Sequence, residues 1–424
     1  MLLEFSIGNY RSFHKIQTLD FRATNLVSEN KLLDERNIVE KSGSRILKTI
    51  GIYGPNGSGK SNIIKALHLF RRMVKSSLES EGVPDFIIEP FKLSDEQNEN
   101  AGYFQVYLLI NNKKYRYGFS LGYKGEIHQE WLYGPADKNE TWYFKRTGQD
   151  IKNNNEWFEE GLKLPLEKLR SDTLFITFVS AYDGPISSSI RGFISNKMTV
   201  EEFDMRSRSL FRQRIMYSRN FRTNSLLEEG KNELVLEWLK KAGLDYSSIL
   251  LEDSEESRIP VVLLQKQIYT QEGIPKGLAT LSLRENESAG TQKFYSYIGW
   301  LYEKFVSGGI FISDEIDNNF HPSLLKKLIR LFNDPEVNKA GAQLLFTSHD
   351  TNLLDPEILR RDQVYFTEKS SKEETVLYSL SDLKGIRNNA DFARQYLAGF
   401  YGALPYLGSL TNKKPDSNNL LNHS

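Results

Sequence analysis

Cysteine is absent from the 424 residues. That absence excludes a disulfide framework, a thiolate metal site and a cysteine nucleophile together, and it fits a cytoplasmic chain. Long apolar runs are missing as well. The opening MLLEFSIGNYRSF holds too short an apolar stretch for a signal peptide, and no later window approaches the roughly 20 apolar residues that span a bilayer, so no membrane contact is expected. The six histidines are scattered, with no evident metal cluster. Excess charge of either sign is also lacking: Lys plus Arg and Asp plus Glu are 55 each. Any surface for nucleic acid must therefore be a local patch.

The length allows roughly two or three domains. Leu3, Phe5 and Ile7 alternate with polar or small residues as a half-buried strand should, and Gln17 to Phe21 suggests a second strand. The apolar run Ile46 to Tyr53 ends in a glycine-rich loop, after which Ile63, Ala66, Leu67, Phe70 and Met73 recur at helical spacing. Between Gly102 and Trp142, short aromatic-rich runs broken by Asn111-Asn112, Gly122 to Gly125 and Gly134-Pro135 predict an antiparallel meander. Strand signals vanish from about Asp183 to Ser254, where Arg, Glu and Leu dominate and a mainly helical insertion is expected, with one helix over Leu234 to Ala242 closed by Gly243. Strand-like runs at Pro260 to Ile268, Gly309 to Ile312 and Gln343 to Thr347 alternate with helical patterns at Thr291 to Val306 and Ser323 to Phe332. That alternation predicts a largely parallel, helix-covered sheet in an α/β fold. The expected units are residues 1–182, an insertion at 183–260, a second half at 261–410 and a frayed polar tail at 411–424.

Three motifs carry chemistry. Gly54-Pro55-Asn56-Gly57-Ser58-Gly59-Lys60-Ser61 matches GxxxxGK[ST] at every fixed position and lies between a predicted strand and helix. Its backbone amides, with Asn62 in the opening turn of the helix, can surround phosphates, Lys60 can reach the outer ones, and Ser61 can ligate Mg2+. The run Gly308 to Ser313 ends in Asp314-Glu315. Two carboxylates at the end of a buried strand suit a magnesium-nucleotide site, Asp314 holding the metal and Glu315 orienting and deprotonating a water. Leu344 to Ser348 leads to His349, 34 residues after Glu315, placed to sense a terminal phosphate.

With these motifs in this order the chain resembles the ABC-type ATPases, more closely the SMC/RecF-like branch than transporter subunits. Gly8-Asn9-Tyr10-Arg11-Ser12-Phe13 is similar to that branch's N-terminal motif, which implies a nucleotide-proximal Arg11. Asp314 to Pro322 looks like Walker B followed by a D-loop, with Asp317 at the subunit-contact position and His349 at the switch histidine. Ser288-Ala289-Gly290-Thr291-Gln292, 26 residues before Asp314, occupies the place of the signature. In the family the signature completes the nucleotide site of the opposite subunit. A helix N-terminus with a serine hydroxyl and an approachable glycine backbone suits a terminal phosphate, and Gln292 is included in that set. The Q-loop is not placed: neither Gln105 nor Phe91-Lys92-Leu93 sits in a decisive pattern.

Within this branch the layout resembles compact AAA-family ATPases of phage-defence and abortive-infection operons, of the RloA, AbiL and PARIS types. The closing runs Asp362 to Glu368, Leu377 to Leu380 and Gly399 to Pro405 extend the match. The resemblance implies ATP and Mg2+ as cofactors, a homodimer or larger homo-oligomer, a separately encoded effector such as a nuclease or toxin, and a phage-derived trigger. Only 75 residues follow His349 and they hold no Asp-x-Asp pair, so a nuclease domain of the TOPRIM type is not expected there. Met205 to Arg222 is entirely basic in its charges, with Arg206, Arg208, Arg212, Arg214, Arg219 and Arg222 interleaved with Phe211, Tyr217 and Phe221. Such a stretch binds nucleic-acid phosphates or an acidic partner, or else is a solvated face pairing with acidic neighbours. Alternatives to a defence ATPase are a repair ATPase acting on DNA directly and, more remotely, a transport subunit.

Overall fold

The computed structural model describes residues 1–79, 88–94, 101–137, 139–201, 221–253 and 260–404. The basic residues 206–219 and the tail 411–424 lie outside the described residues. Two large sheets enclose one helix. The first is antiparallel and seven-stranded. It contains the amino-terminal strands Leu2–Gly8 and Gln17–Asp20 and continues through the meander Gly102–Ile110, Lys113–Leu121, Ile127–Pro135, Glu140–Thr147 and Asp150–Asn153. The meander is thus where its turn residues place it. The run Ile46 to Tyr53 is two strands, Ser44–Leu47 and Thr49–Tyr53, rather than one.

The second sheet carries the motifs. Its order is Met198–Val200, Ile310–Ser313, Gln343–Thr347, Thr49–Tyr53, Val364–Lys369 and Thr375–Ser379. The first five are parallel and the last returns antiparallel. Ile310–Ser313, Gln343–Thr347 and Thr49–Tyr53 are buried at every position, as strands covered on both faces must be. Parallel strands in register bring their carboxyl ends to one edge, and the phosphate loop, Asp314 and His349 each follow one of those ends.

Helix Lys60–Ser76 lies between the sheets. It buries Ile63, Ile64, Ala66, Leu67, Phe70, Met73 and Val74, and Phe70 stacks on Phe119 of the meander with ring centroids 5.1 Å apart. Full burial of one such aromatic is worth about 2–3 kcal/mol, so the helix behind the phosphate loop is anchored by its apolar face rather than by its caps. Helix Ala289–Ser307 is buried on two sides, Tyr297 and Leu301 packing in the core under the parallel sheet and Phe294, Tyr295 and Ile298 in a third core.

The third core corrects two strand expectations. Val261–Tyr269 joins Ser248–Glu252 and Pro275–Ser282 in a separate three-stranded antiparallel sheet, not the parallel one. The region expected to be helical does hold Pro185–Gly192, Arg222–Glu228 and Asn232–Lys241. It also supplies Met198–Val200 to the parallel sheet and Ser248–Glu252 to the small one. The fold class is α/β, with a glycine-rich loop between a parallel strand and a helix and an antiparallel meander, as expected, whereas the insertion holds strands as well as helices.

Candidate functional site

The glycine-rich loop joins strand Thr49–Tyr53 to helix Lys60–Ser76. Gly59 has φ +114°, and a Cβ there would meet Thr375 Oγ1 at 2.2 Å. Glycine is required at this position by backbone conformation and by space together. Ser58 Oγ and Thr367 Oγ1 are 2.6 Å apart, and Thr375 Oγ1 donates to Ser58 O at 2.7 Å. The loop is thus braced from outside by the last two strands of the parallel sheet.

Asn56, Gly57, Ser58, Gly59, Lys60, Ser61, Asn62, Glu315 and His349 line one cleft. Lys60 Nζ donates to Gly54 O at 2.7 Å and Pro55 O at 3.1 Å. Burial lowers its pKa to about 8, against the pull of Asp314, Glu315 and Asp317. Ser61 Oγ donates to Asp314 Oδ1 at 3.2 Å. A hydroxyl and a carboxylate at this spacing fit a divalent cation that takes its remaining ligands from phosphate and water. Among the described residues no group of three or more His, Asp or Glu could hold a metal by itself.

Thr347 holds the Asp314 carboxylate and the Glu315 backbone and was not singled out from the sequence. Its Oγ1 donates to Asp314 Oδ1 at 2.6 Å and accepts from the Glu315 amide at 2.7 Å. Glu315 has φ +47°, a conformation costly for a residue with a Cβ and one that concentrates at functional turns. Strand pairing places Ser313 opposite Phe346 and so delivers Thr347 to this turn. The only sequence signal for Thr347 was its place two residues before His349.

The His349 amide donates to both Asp317 carboxylate oxygens at 3.3 Å. Burial and the nearby Lys60 charge lower the imidazole's pKa, outweighing the pull of Asp317, Glu315 and Asp314. A neutral imidazole in the cleft can accept or donate a hydrogen bond to a phosphate oxygen.

Asn62 lies in the cleft, whereas Arg11, Ser288, Gly290 and Gln292 do not line it. Asn62 Nδ2 donates to Ser12 Oγ at 2.8 Å, which ties the turn after Leu2–Gly8 to the phosphate-loop helix. Arg11, half-exposed with φ +50°, is paired with Glu89 at 2.8 Å and does not line the cleft. Gln105 accepts from Trp131 Nε1 at 3.0 Å within the meander and does not line the cleft. Ser288 caps helix Ala289–Ser307, its Oγ accepting from the Thr291 amide at 3.2 Å. Gln292 Nε2 donates back to Glu287 O at 3.0 Å and Arg284 O at 3.2 Å. A Cβ at Gly290 would meet Asn319 O at 2.6 Å, so this glycine lets the helix approach the 314–321 turn of its own chain. Ser288, Gly290 and Gln292 do not line the cleft that holds Gly59 and Lys60.

Of the basic stretch, Arg222 is described. Its Nε pairs with Glu303 at 2.9 Å and its guanidinium lies 5.7 Å from the Trp300 ring centroid. Arg191, upstream, donates to Lys75 O at 2.8 Å. Both are committed inside the chain. Among the described residues no helix is long and apolar enough to cross a membrane.

A family model described as "AAA domain, putative AbiEii toxin, Type IV TA system" matches residues 50–355, from the phosphate-loop strand past His349. No curated protein matches the sequence. Similar solved structures include an SMC head domain from Thermotoga maritima, with 12% identity, 89% of this chain and 98% of that chain covered, and a TM-score of 0.41. An SMC head bound to the C-winged helix domain of ScpA shows 13% identity, coverage of 91% and 99%, and a TM-score of 0.48. An SMC head with an extended coiled coil, bound to the C-terminal domain of ScpA and derived from Pyrococcus furiosus, shows 13% identity, coverage of 94% and 99%, and a TM-score of 0.42.

Proposed function

The chain belongs to the AAA-domain family described as putative AbiEii toxin, Type IV TA system, and from that premise we propose that it is an ATPase that pairs with a second copy around ATP and thereby controls a separate effector in antiphage defence. The observation that supports the ATPase reading best is the convergence of Lys60, Ser61, Glu315 and His349 on one cleft, with Asp314 hydrogen-bonded to Ser61. Ser61 and Asp314 would hold Mg2+, which supplies charge neutralisation to the outer phosphates when bound. Lys60 would leave the loop carbonyls for the phosphates, Glu315 would take the proton of the attacking water, and His349 would contact the terminal phosphate. Ser288 and Gly290, on a helix N-terminus outside the cleft, would complete the site of the second copy. That arrangement gives ATP a way to join two chains and hydrolysis a way to release them.

Lys60 gives the reading a pH signature. Its charge favours bound phosphate and is lost in the free protein above a pKa of about 8. Bound phosphates raise that pKa, so binding takes up a proton above pH 8 and ATP affinity weakens by up to about tenfold per pH unit there. Calorimetry in buffers of different ionisation enthalpy measures this uptake, and Lys60→Met should abolish it.

The defence role rests on the family description and on the resemblance of the motifs. Co-expression with the protein encoded beside it tests effector control: growth arrest should require both proteins and should change when Lys60 is replaced by Met. Arrest by this chain alone, with or without its neighbour, would remove the separate effector from the account.

A further inference from the structure

Lys293 lies one residue past Gln292 and is 4% exposed. Its Nζ donates to three backbone carbonyls, Glu315 O at 3.3 Å, Ile316 O at 3.5 Å and Asn318 O at 3.1 Å. These are the oxygens of the turn on which Glu315 holds φ +47°. The ammonium also lies 5.0 Å from the Phe320 ring centroid and 5.6 Å from that of Tyr297. A buried ammonium needs a counter-charge, and Glu201 supplies it at 3.9 Å with its side chain 7% exposed. Glu201 Oε2 accepts in turn from Tyr297 and Ser313, and the Glu201 amide donates to Ile312 O at 2.7 Å. Ser313, the one polar residue of strand Ile310–Ser313, thus has a partner for its hydroxyl.

The cluster joins three elements that the catalytic reading needs in register: helix Ala289–Ser307, strand Ile310–Ser313 and the turn beyond it. Gly290 packs on Asn319 O from the same helix, so that turn is held at two points, one by contact and one by charge. An apolar residue of similar length would fill the space at 293 but leave three carbonyls without this donor.

We infer that Lys293 is a positioning residue for hydrolysis, fixing the Glu315 turn to the helix that begins at Ser288, with Glu201 as its buried counter-ion. The inference rests on the ATPase reading above. A ligand group docking on the N-terminus of helix Ala289–Ser307 would then be transmitted to Glu315 through Lys293, linking pairing to hydrolysis.

Steady-state turnover and ATP affinity of Lys293→Met, Lys293→Arg and Glu201→Gln/Lys293→Met test this, with wild type and Glu315→Gln measured alongside. Lys293→Met should lower kcat by on the order of ten- to a hundredfold and leave the ATP dissociation constant within about threefold. Lys293→Arg should recover part of the loss. The double variant buries no unpaired charge; it should melt like wild type and remain slow. If the double variant recovers wild-type turnover, Lys293 merely neutralises Glu201 and the inference is wrong; this comparison stands even if Lys293→Met is insoluble. Full turnover in Lys293→Met also overturns it. Wild type that fails to hydrolyse ATP overturns the ATPase reading instead, so the two failures are distinguishable.

Discussion

Glu315→Gln should lower steady-state ATP hydrolysis by about 10²- to 10⁴-fold while leaving ATP affinity within a few-fold of wild type, and it should accumulate the ATP-bound pair. The two adjacent carboxylates are not equivalent. Asp314 accepts from Ser61 and Thr347 and so faces the hydroxyl that a metal would share. Glu315 begins a turn at positive φ, its amide is held by Thr347, and it lines the cleft with the phosphate loop. The amide of glutamine keeps the size and the hydrogen-bonding reach of the carboxylate but cannot take a proton from water at neutral pH. In the proposed function, binding would depend on the loop amides, Lys60 and the Ser61–Asp314 pair, which the substitution leaves in place. Single-turnover and steady-state assays check the prediction. Unimpaired turnover would send the base role elsewhere in the cleft, with His349 the first alternative.

Ser288→Arg should abolish ATP-driven pairing and lower hydrolysis by about 10²-fold, with ATP binding by each protomer changed by less than about threefold. Ser288 is exposed, so an arginine can be accommodated in the single chain. Loss of the cap to the Thr291 amide costs about 1 kcal/mol, and the 19-residue helix keeps its buried sides. The separate chain therefore still folds. The large effect is expected only if Ser288 meets a nucleotide on a second copy, where a bulky cation would occupy the place of a small hydroxyl. Ser288→Ala removes the cap and the hydroxyl without adding bulk, and should weaken pairing far less than Ser288→Arg, which separates the effect of bulk from the other two. Size measurement with and without ATP reads the outcome. Normal pairing by Ser288→Arg would reduce Ser288 to a helix cap.

The parts of the site that could be read in the sequence are those whose chemistry is local. The phosphate loop is legible because its glycines and Lys60 are fixed by neighbouring backbone. Asp314 and Glu315 are legible because an apolar run ends in them. Thr347 was missed because strand register, not sequence proximity, carries it to Asp314. Lys293 and Glu201 were missed because a buried ion pair between residues 92 apart has no local signature. Arg11, named from its motif position, pairs with Glu89 and lies outside the cleft lining.

The fold divides the same way. Meander and parallel core followed from turn residues and apolar runs. Met198–Val200, three residues long, is too short to register within a helical composition. Val261–Tyr269 was grouped with the parallel strands, yet only Val262 and Leu264 of its residues are buried, the alternation of a strand with one covered face. The fully buried Gln343–Thr347 lacks that alternation. The sequence of Val261–Tyr269 opens on four apolar residues, VVLL, so the one-sided burial is not legible there.

Pairing around nucleotide is the central claim, and the mass of Glu315→Gln in solution with and without ATP and Mg2+ tests it most directly. A monomer without nucleotide that becomes a dimer with ATP, holding two nucleotides per dimer and reverting when ATP is replaced by ADP, is the predicted result. A chain that stays monomeric at saturating ATP, or whose mass does not depend on nucleotide, would contradict it.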